Sequence, residues 1–218
     1  MRGIMFIGGE GPSPEAIRKI AAGANLFVAA DSGLILCESA GLKPDWILGD
    51  MDSLVCEANQ DGLRMLEKYP PERVLRFRED KDYTDTELAL NFLQEKSCDE
   101  IWLLGGGGGR LDHLFAIRSL FERNDPPHRW FPGNEEVRCL LEGQKLNMTL
   151  PSESLVSVFP IGNEAWEAES SGLKWPLKGL AWDRGSFGVS NVATTGPFEI
   201  RSVKGRFLVI CPMCLNDF

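Results

Sequence analysis

The chain has 218 residues, of which 43% are hydrophobic and 25% are charged, and its formal net charge is −9. This apolar fraction is enough for a buried core, and no apolar run approaches the roughly 20 residues that span a bilayer or forms a signal-peptide core, so we expect a cytoplasmic protein without membrane contact. The acidic excess comes without a basic cluster, which argues against binding to a nucleic-acid backbone.

The first two-thirds of the chain alternates short apolar runs with helical patterns. Buried strands are predicted at residues 4–7, 26–30, 45–48, 74–77 and 101–104. Helices are predicted at residues 14–22, 63–68, 86–94 and 111–123, with a further helix ending near residue 40. Repetition of strand, loop and helix predicts a mostly parallel sheet with helices on both faces. Residues that directly follow the strands should meet at one edge of this sheet.

The pattern changes after about residue 124, where prolines and Gly133 mark a linker. Short β-like runs follow at residues 136–141, 145–150, 155–159, 186–190, 198–203 and 206–211. These runs predict an all-β sandwich or small barrel. We therefore expect an α/β domain over residues 1–130 and a β-sandwich domain over residues 131–218.

The six cysteines are too sparse for a disulfide scaffold, and most lie in apolar surroundings that favour small buried side chains. Cys211 and Cys214 form a CxxC motif near residue 218. No second ligand pair accompanies this motif, and no strand–helix context follows it, so neither a zinc site nor a redox site is expected.

A first acidic group, Asp50 and Asp52, directly follows a predicted strand. In an extended segment the two carboxylates point to the same side and repel each other unless a cation lies between them. Carboxylate oxygens suit Mg²⁺, which takes further ligands from water and phosphates. An Asp-rich turn that bonds to its own backbone is the alternative, and the motif alone leaves both interpretations open.

A second acidic group covers residues 79–87. An N-cap at Thr84 or Asp85, with Glu87 in the first helical turn, accounts for three of these residues. It does not require Asp80 and Asp82 as well. Crowded carboxylates at one helix start favour a metal or a basic partner.

Five glycines, 105–109, separate a predicted strand from a predicted helix and are followed by Arg110. Glycines there let backbone N–H groups approach an anion, and an arginine can bind two phosphate oxygens. The run is not a Walker A loop, because no Lys-Ser/Thr follows, and a flexible linker is the alternative. His113 alone is more typical of a hydrogen bond at a helix start than of a general base.

Trp175 lies next to Pro176 and outside any alternating strand pattern. An exposed indole there could stack on a flat cationic heterocycle, but packing against the sandwich core fits the pattern equally well. Trp166 and Trp182 are predicted as packing residues. Together, acidic metal ligands, a glycine loop and an arginine predict phosphoryl or pyrophosphoryl transfer from a nucleotide.

The chain resembles the thiamine pyrophosphokinase (thiamine diphosphokinase) family in four blocks that occur in order. They are residues 30–33 (ADSG) with 44–53 (PDWILGDMDS), residues 81–90 (KDYTDTELAL), residues 105–113 (GGGGGRLDH), and residues 172–177 (GLKWPL) with Ser190 and Asn191. The chain departs from the family pattern at Ile117, where an asparagine is common. The resemblance implies an α/β domain, a β-sandwich domain and a homodimer whose active site lies between subunits.

The resemblance also implies a reaction, in which the pyrophosphoryl group of ATP moves to the hydroxyl of thiamine and gives thiamine diphosphate and AMP. By resemblance, Asp50, Asp52 and Asp85, with Asp82 as a further candidate, would hold Mg²⁺. The resemblance also assigns triphosphate binding to Gly107, Gly108 and Arg110, and thiamine binding to Trp175, Ser190 and Asn191. It implies further binding contacts at Asp31, Ser53 and Thr84. Asp112 would orient the attacking hydroxyl or accept its proton, so the expected catalytic set is Asp50, Asp52, Asp85, Arg110 and Asp112.

Two other functions remain open from the sequence. Residues 48–54 are similar to the DxD loop of haloacid-dehalogenase-like phosphatases, although that loop normally follows the first strand of the chain. A non-catalytic thiamine- or nucleotide-binding sensor could keep the same fold. Release of inorganic phosphate would indicate the phosphatase, and ligand binding without AMP formation would indicate the sensor.

Overall fold

A computed structural model of the protein describes residues 1–58, 60–78, 82–183 and 185–218, with the side chains of 56–58, 60, 61 and 63 outside the description. The chain folds into two compact units. The first comprises Met1–Leu120, Trp130–Asn134 and Leu215–Phe218, and the second comprises Phe121–Arg129 and Glu135–Cys214.

The first unit is built on a mostly parallel sheet. Its strands are β1 (Arg2–Phe6), β2 (Leu26–Ala30), β3 (Trp46–Gly49), β4 (Val74–Arg76), β5 (Glu100–Leu104) and, from its second residue onward, β6 (Arg129–Phe131). They are neighbours in the order β6-β5-β1-β2-β3-β4, and β1 to β5 pair in parallel. The carboxyl ends of these parallel strands therefore share one edge, as the sequence predicted.

Six α-helices belong to the described part of this unit: α1 (Pro14–Ala21), α2 (Gly33–Ser39), α3 (Asp52–Ala58), α4 (Gln60–Leu66), α5 (Asp85–Glu95) and α6 (Leu111–Leu120). Helix α1 begins where expected, because the Ser13 hydroxyl accepts a hydrogen bond from Ala16 N–H and Pro14 occupies the first turn. Helix α3 was not predicted. Within the described residues, no helix is long and apolar enough to cross a membrane.

The second unit is a β-sandwich. Its strands are β7 (Glu135–Leu140), β8 (Lys145–Thr149), β9 (Leu155–Ile161), β10 (Glu167–Ser171), β11 (Gly188–Val192), β12 (Pro197–Lys204) and β13 (Arg206–Pro212). Strands β11-β9-β13-β7 are antiparallel neighbours in one sheet, and β10-β12-β8 form the other. The predicted fold class, an α/β sheet domain followed by a β-sandwich, is confirmed.

Side-chain alternation explains the sandwich. In β8 the side chains of Leu146 and Met148 point into the core, whereas Lys145 points outward and pairs with Glu199 of β12 at 3.1 Å. Strands β6 and β10 were not predicted from the sequence. The first has three residues beside a proline, and the second reads Glu-Ala-Glu-Ser-Ser, which lacks β-branched residues.

The cysteines behave as buried apolar residues. Cys37, Cys98, Cys139 and Cys211 are buried, and Cys214 is partly exposed, as free thiols. Burial, the main cause in each case, raises the pKa of the Cys37 thiol to about 12 and that of Cys139 to about 11. These two thiols therefore stay protonated at neutral pH, and the prediction of buried structural cysteines is confirmed for Cys37, Cys98 and Cys139.

The first unit is completed by a segment that follows the second unit in the chain. Phe218 lies against Trp102 and Phe131, with ring centroids 5.7 and 5.8 Å apart. Trp130 Nε1 also donates to the carbonyl of Gly105 at 2.7 Å. The aromatic cluster thus joins β5, β6 and the segment Leu215–Phe218 inside one unit.

Gly33 offers a test of how tightly the first unit is packed. A Cβ atom there would lie 2.1 Å from the carbonyl oxygen of Phe6, so we expect Gly33→Ala to lower the free energy of unfolding by about 2–3 kcal/mol. Gly41→Ala is the control, because its Cβ meets open space and only its φ of +73° is unfavourable, at about 1 kcal/mol. Urea unfolding followed by circular dichroism measures both, and equal stability of the two variants would contradict this packing.

Candidate active site

Three aspartates meet at the carboxyl edge of the parallel sheet. Asp31 follows β2, Asp50 follows β3, and Asp85 is the first residue of α5. One carboxylate oxygen from each lies within 4.8 Å of those of the other two. Asp31 is buried and the other two are partly buried, so their mutual repulsion is screened less than at an open surface. The arrangement can hold a divalent cation.

The backbone fixes Asp31 in place. Its φ of +48° is unusual for a residue with a side chain, and its N–H donates to the Leu48 carbonyl at 2.8 Å. Its carboxylate accepts a hydrogen bond from Leu54 N–H at 3.1 Å, at the start of α3. Strained backbone of this kind persists only where the surrounding structure holds it, and it is concentrated at functional sites.

Gly49 leaves room for the aspartates to approach one another. It has a φ of +147°, and a Cβ there would lie 3.2 Å from Asp31 Cβ and 3.3 Å from Asp85 Cγ. A side chain at this position would push against both carboxylate-bearing residues. The close approach of the aspartates therefore depends on glycine at the last position of β3.

A capping box orients Asp85. The Thr84 hydroxyl accepts from Glu87 N–H at 3.2 Å, and the Glu87 carboxylate accepts from Thr84 N–H at 2.8 Å. Thr84 is therefore the N-cap, one of the two predicted choices, which leaves Asp85 available for the acidic group. The helix cap uses Thr84 and Glu87 but not the Asp85 side chain. A capped helix start and a metal site are therefore compatible in this segment.

The first acidic motif is not extended as the sequence suggested. Met51 has a φ of +73°, and α3 begins at Asp52, whose N–H donates to Asp50 Oδ1 at 3.1 Å. Asp50 thus takes part in a turn and also belongs to the three-aspartate group, so both interpretations of the motif apply to it. Asp52 and Ser53 are exposed and are not members of the three-aspartate group, so their binding roles stay predictions.

The remaining residues of the second acidic motif are less closely placed. Asp82 is exposed and does not belong to the three-aspartate group, so its metal role also stays a prediction. Asp80 and Lys81 lie outside the described residues.

The glycine run is not a flexible linker in its first half. Gly105 N–H donates to the Phe131 carbonyl, Gly106 N–H to the Gly8 carbonyl at 2.9 Å, and Gly107 N–H to the Glu10 carbonyl at 2.8 Å. A Cβ at Gly107 would lie 2.0 Å from the Pro132 carbonyl oxygen. Three N–H groups of the run are therefore already used by the protein itself.

The second half of the run is open. Gly108 and Gly109 have φ values of +63° and +61° and are exposed. Among the backbone hydrogen bonds of the described residues, neither N–H group has an acceptor.

Ile117, the residue that departs from the family pattern, is buried, and its Cδ1 would be 2.4 Å from a Cβ at Gly106. It packs against the loop and makes no polar contact there.

Arg110 and Asp112 form an exposed ion pair at the start of α6. Arg110 Nε and Nη2 donate to the two carboxylate oxygens of Asp112 at 3.1 and 2.5 Å. The hydrogen bond from Arg110 is the largest cause of a lowered pKa at the Asp112 carboxyl. A lowered pKa keeps this carboxylate ionised and makes it a weaker proton acceptor.

In the second unit, Trp175 is 52% exposed and is not part of the sandwich core. Trp166 and Trp182 pack against that core, as predicted. Asn191 is 4% exposed, and its side chain binds the backbone of Trp175 in both directions, accepting from N–H at 3.1 Å and donating to the carbonyl at 2.6 Å. Asn191 therefore positions Trp175 instead of facing solvent itself.

Ser190 lies at an irregularity in β11. Its φ is +58°, the pairing of β11 with β9 shifts register between Gly188 and Asn191, and its N–H donates to the Ser157 hydroxyl at 3.1 Å. Bulges of this kind redirect side chains and are frequent next to active sites. The structure thus brings Trp175, Ser190 and Asn191 to one region of the second unit.

Two features of the site escaped sequence reasoning. Asp31 was expected to contact ligands but not to share a metal with Asp50 and Asp85, and Gly49 was included in a family block without a role of its own. Asp31 and Gly49 each directly follow a predicted strand, and Gly49 directly precedes Asp50. Their position at strand ends was the sequence feature that could have identified them as site residues.

Comparison with known proteins identifies the family of the chain. A family model described as "Thiamin pyrophosphokinase, catalytic domain" matches residues 17–127, which include the three aspartates and the glycine run. The chain belongs to the thiamin pyrophosphokinase family. A thiamine pyrophosphokinase of Bacillus subtilis (strain 168) is 27% identical over 161 residues, which is 70% of each chain. Trp175, Ser190 and Asn191 lie outside the residues matched by the family model.

Solved structures of thiamin pyrophosphokinases share the fold over nearly the whole chain. The Bacillus subtilis structure has a TM-score of 0.78 at 23% identity and covers 97% of this chain and 99% of its own. The Geobacillus thermodenitrificans structure has a TM-score of 0.76 at 24% identity, with 98% of both chains covered. The Candida albicans structure has a TM-score of 0.74 at 15% identity, with 98% of this chain and 90% of its own covered.

Gly49→Ala tests whether the close approach of the aspartates matters for cation binding. Because the added methyl group would press on Asp31 and Asp85, we expect the affinity for Mn²⁺, used as a paramagnetic probe, to fall at least about tenfold. Gly41→Ala, which also has a positive φ but meets open space, should bind as the wild type does. Titration followed by electron paramagnetic resonance gives both affinities, and unchanged binding by Gly49→Ala would contradict a shared cation site.

Proposed function

We propose that the protein transfers the pyrophosphoryl group of ATP to the hydroxyl of thiamine, giving thiamine diphosphate and AMP in an Mg²⁺-dependent reaction. The observation that carries this proposal is the group of Asp31, Asp50 and Asp85 at the carboxyl edge of the sheet, in a chain of the thiamin pyrophosphokinase family. The names of the relatives support thiamine and a pyrophosphoryl donor as substrates.

The three carboxylates fit Mg²⁺. Magnesium binds oxygen at about 2.1 Å in an octahedron, which separates its ligand atoms by about 3–4 Å. Oxygens that already lie within 4.8 Å of one another reach this spacing by small side-chain movements. Asp31, Asp50 and Asp85 would hold the ion, with Asp52 and Asp82 as further candidates, and when bound it would offset the negative charge of the transferred phosphates.

The open half of the glycine loop would receive the phosphates. Gly108 and Gly109 offer backbone N–H groups, whereas the N–H of Gly107 already binds Glu10. Gly107 then contributes through its lack of a side chain, since it lets the loop approach Pro132. Arg110 would exchange one or both of its bonds to Asp112 for phosphate oxygens, which form the same two-pronged contact.

Asp112 fits an orienting role better than the role of a base. Its lowered pKa weakens it as a proton acceptor while Arg110 is bound. If Arg110 turns to the phosphates, Asp112 loses this partner and becomes free to accept a hydrogen bond from the thiamine hydroxyl. Holding that hydroxyl in line with the β-phosphorus supplies the entropic part of the rate enhancement.

Thiamine would bind at the second unit through Trp175. Its indole is exposed, and the Lys174 ammonium already lies 4.8 Å from the ring centroid, so the indole accepts a cation in this arrangement. Ser190 would add a polar contact, and Asn191 would hold the Trp175 segment. A homodimer whose active site lies between subunits, a cytoplasmic location, and the division into an ATP-binding and a thiamine-binding domain stay predictions.

The direct test incubates the purified protein with ATP, Mg²⁺ and thiamine and measures AMP and thiamine diphosphate by chromatography. Both products in equal amounts are expected. Release of inorganic phosphate without thiamine diphosphate would favour the phosphatase, and binding of thiamine or ATP by calorimetry without any product would favour the sensor.

Asp31→Asn and Asp50→Asn should each lower kcat/KM at least about hundredfold, because each removes one charge from the proposed Mg²⁺ site. Part of the loss should be recovered at higher Mg²⁺ concentration. The control is Asp99→Asn, an exposed aspartate at the amino end of β5, which should stay within twofold of the wild type. Wild-type turnover by Asp31→Asn would show that Asp31 is not part of the Mg²⁺ site.

Trp175→Ala should raise the KM for thiamine by about tenfold, since a desolvated cation–π contact contributes on the order of 1–2 kcal/mol. The KM for ATP should change less than twofold, and Trp175→Phe should keep part of the thiamine affinity. Steady-state kinetics and a thermal unfolding curve measure these effects. Equal loss for both substrates, or a lowered melting temperature, would instead indicate a packing role.

A further inference from the structure

Glu10 lies against the glycine loop, although no motif includes it. It follows β1, the strand between β5 and β2, so it emerges at the same edge of the sheet as the loop and Asp31. Its N–H donates to the Gly107 carbonyl at 2.7 Å, and its carbonyl accepts from Gly107 N–H at 2.8 Å. This reciprocal pair fixes the backbone of Glu10 to the loop.

The carboxylate of Glu10 lies against Gly108, the first residue of the open half of the loop. A Cβ built on Gly108 would be 2.5 Å from Glu10 Cδ and 2.7 Å from Oε1, so the carboxylate occupies the space that a side chain at residue 108 would need. Glu10 is exposed, and the structure of the described residues gives it no basic partner within ion-pair distance. A negative charge therefore lies directly beside Gly108, in the open half of the loop.

This placement works against an unshielded anion. Two like charges a few ångströms apart at a protein surface repel appreciably, and a phosphate chain carries several negative charges. A divalent cation bound to the phosphate chain lowers its net charge and with it the repulsion. The loop would therefore bind a metal-free phosphate chain more weakly than a metal-complexed one.

We propose that Glu10 makes the glycine loop selective for metal-complexed phosphate chains by repelling uncomplexed ones. This inference rests on the proposed function, since it assigns the phosphates to the same loop. Arg110 supplies attraction next to the loop, and Glu10 supplies the repulsion that distinguishes the two forms of the ligand. Free ATP, which would occupy the site without reacting, is the ligand that such a residue excludes.

Inorganic tripolyphosphate is a suitable probe, because it lacks the base and the sugar and reports on the phosphate site alone. Calorimetry would measure its binding to the wild type, Glu10→Gln and Glu72→Gln, once with excess EDTA and once with excess Mg²⁺, at constant ionic strength. Glutamine keeps the length and the backbone bonds of Glu10. Glu72 is an exposed carboxylate just before β4, at the amino edge of the sheet, so Glu72→Gln removes the same charge elsewhere.

We expect Glu10→Gln to bind metal-free tripolyphosphate about tenfold more tightly than the wild type, which is about 1.4 kcal/mol. The gain in the presence of Mg²⁺ should stay below threefold, and Glu72→Gln should match the wild type in both conditions. Raising the ionic strength should shrink the gain.

Equal metal-free affinities of Glu10→Gln and the wild type, including binding by neither, would overturn the inference. So would an equal gain with and without Mg²⁺, or weaker binding by the variant. Thermal unfolding of both variants separates a folding defect from a charge effect. If the wild type made no thiamine diphosphate, the proposed function would fail, while the two tripolyphosphate affinities would still decide the role of Glu10.

Discussion

Repulsion among three carboxylates is the constraint around which the first unit is arranged. Asp31, Asp50 and Asp85 follow three different strands, and main-chain geometry brings them together. A left-handed residue, a glycine and a capping box each contribute to this geometry. Such a preorganised group favours whatever cation relieves the repulsion, and this explains why unusual backbone conformations accumulate at one edge of an otherwise regular sheet.

The glycine run lies at the same edge and is shaped by close packing and by backbone conformation. Its first three residues lack side chains because carbonyl groups and Ile117 pack within contact distance of where a Cβ would lie. Positive φ values at Gly105, Gly106, Gly108 and Gly109 are a second reason for glycine, and at Gly109, where a Cβ would meet open space, φ is the reason that remains. One stretch of identical residues therefore contains an anchored half and an open half. The purity of the run has two separate physical causes rather than one, and flexibility is not among those causes for the anchored half.

The architecture could be predicted from the sequence because it is encoded in repeated local patterns. Strands β1 to β5 are apolar runs with turn residues behind them, and β8 and β12 alternate as half-buried strands do, so periodicity was sufficient. It was insufficient for β6, which is short, and for β10, which is polar. At the site, the family resemblance joined Asp85 to Asp50, whereas order along the chain predicted that Asp31 and Asp50 share an edge. It could not predict that Met51 adopts a positive φ and turns Asp52 toward solvent, because φ at one residue depends on contacts made by distant segments.

The same limit applies to side chains that act on one another across the chain. The family resemblance assigned Asn191 to thiamine, and that role stays a prediction, but only the structure shows that its buried side chain fastens the segment carrying Trp175. Likewise, Glu10 gains significance only from its pairing with Gly107, a residue almost a hundred positions away. Tertiary interactions of this kind leave no periodic or compositional trace.

The aromatic cluster of Phe218, Trp102 and Phe131 bears on how the chain acquires its structure during synthesis. The segment Leu215–Phe218 belongs to the first unit but is translated after every residue of the second. While the ribosome extends the sandwich strands, Trp102 and Phe131 stay without their last aromatic neighbour. The nascent first unit must therefore persist with one side of this cluster uncovered, and its final consolidation waits for the second unit to emerge.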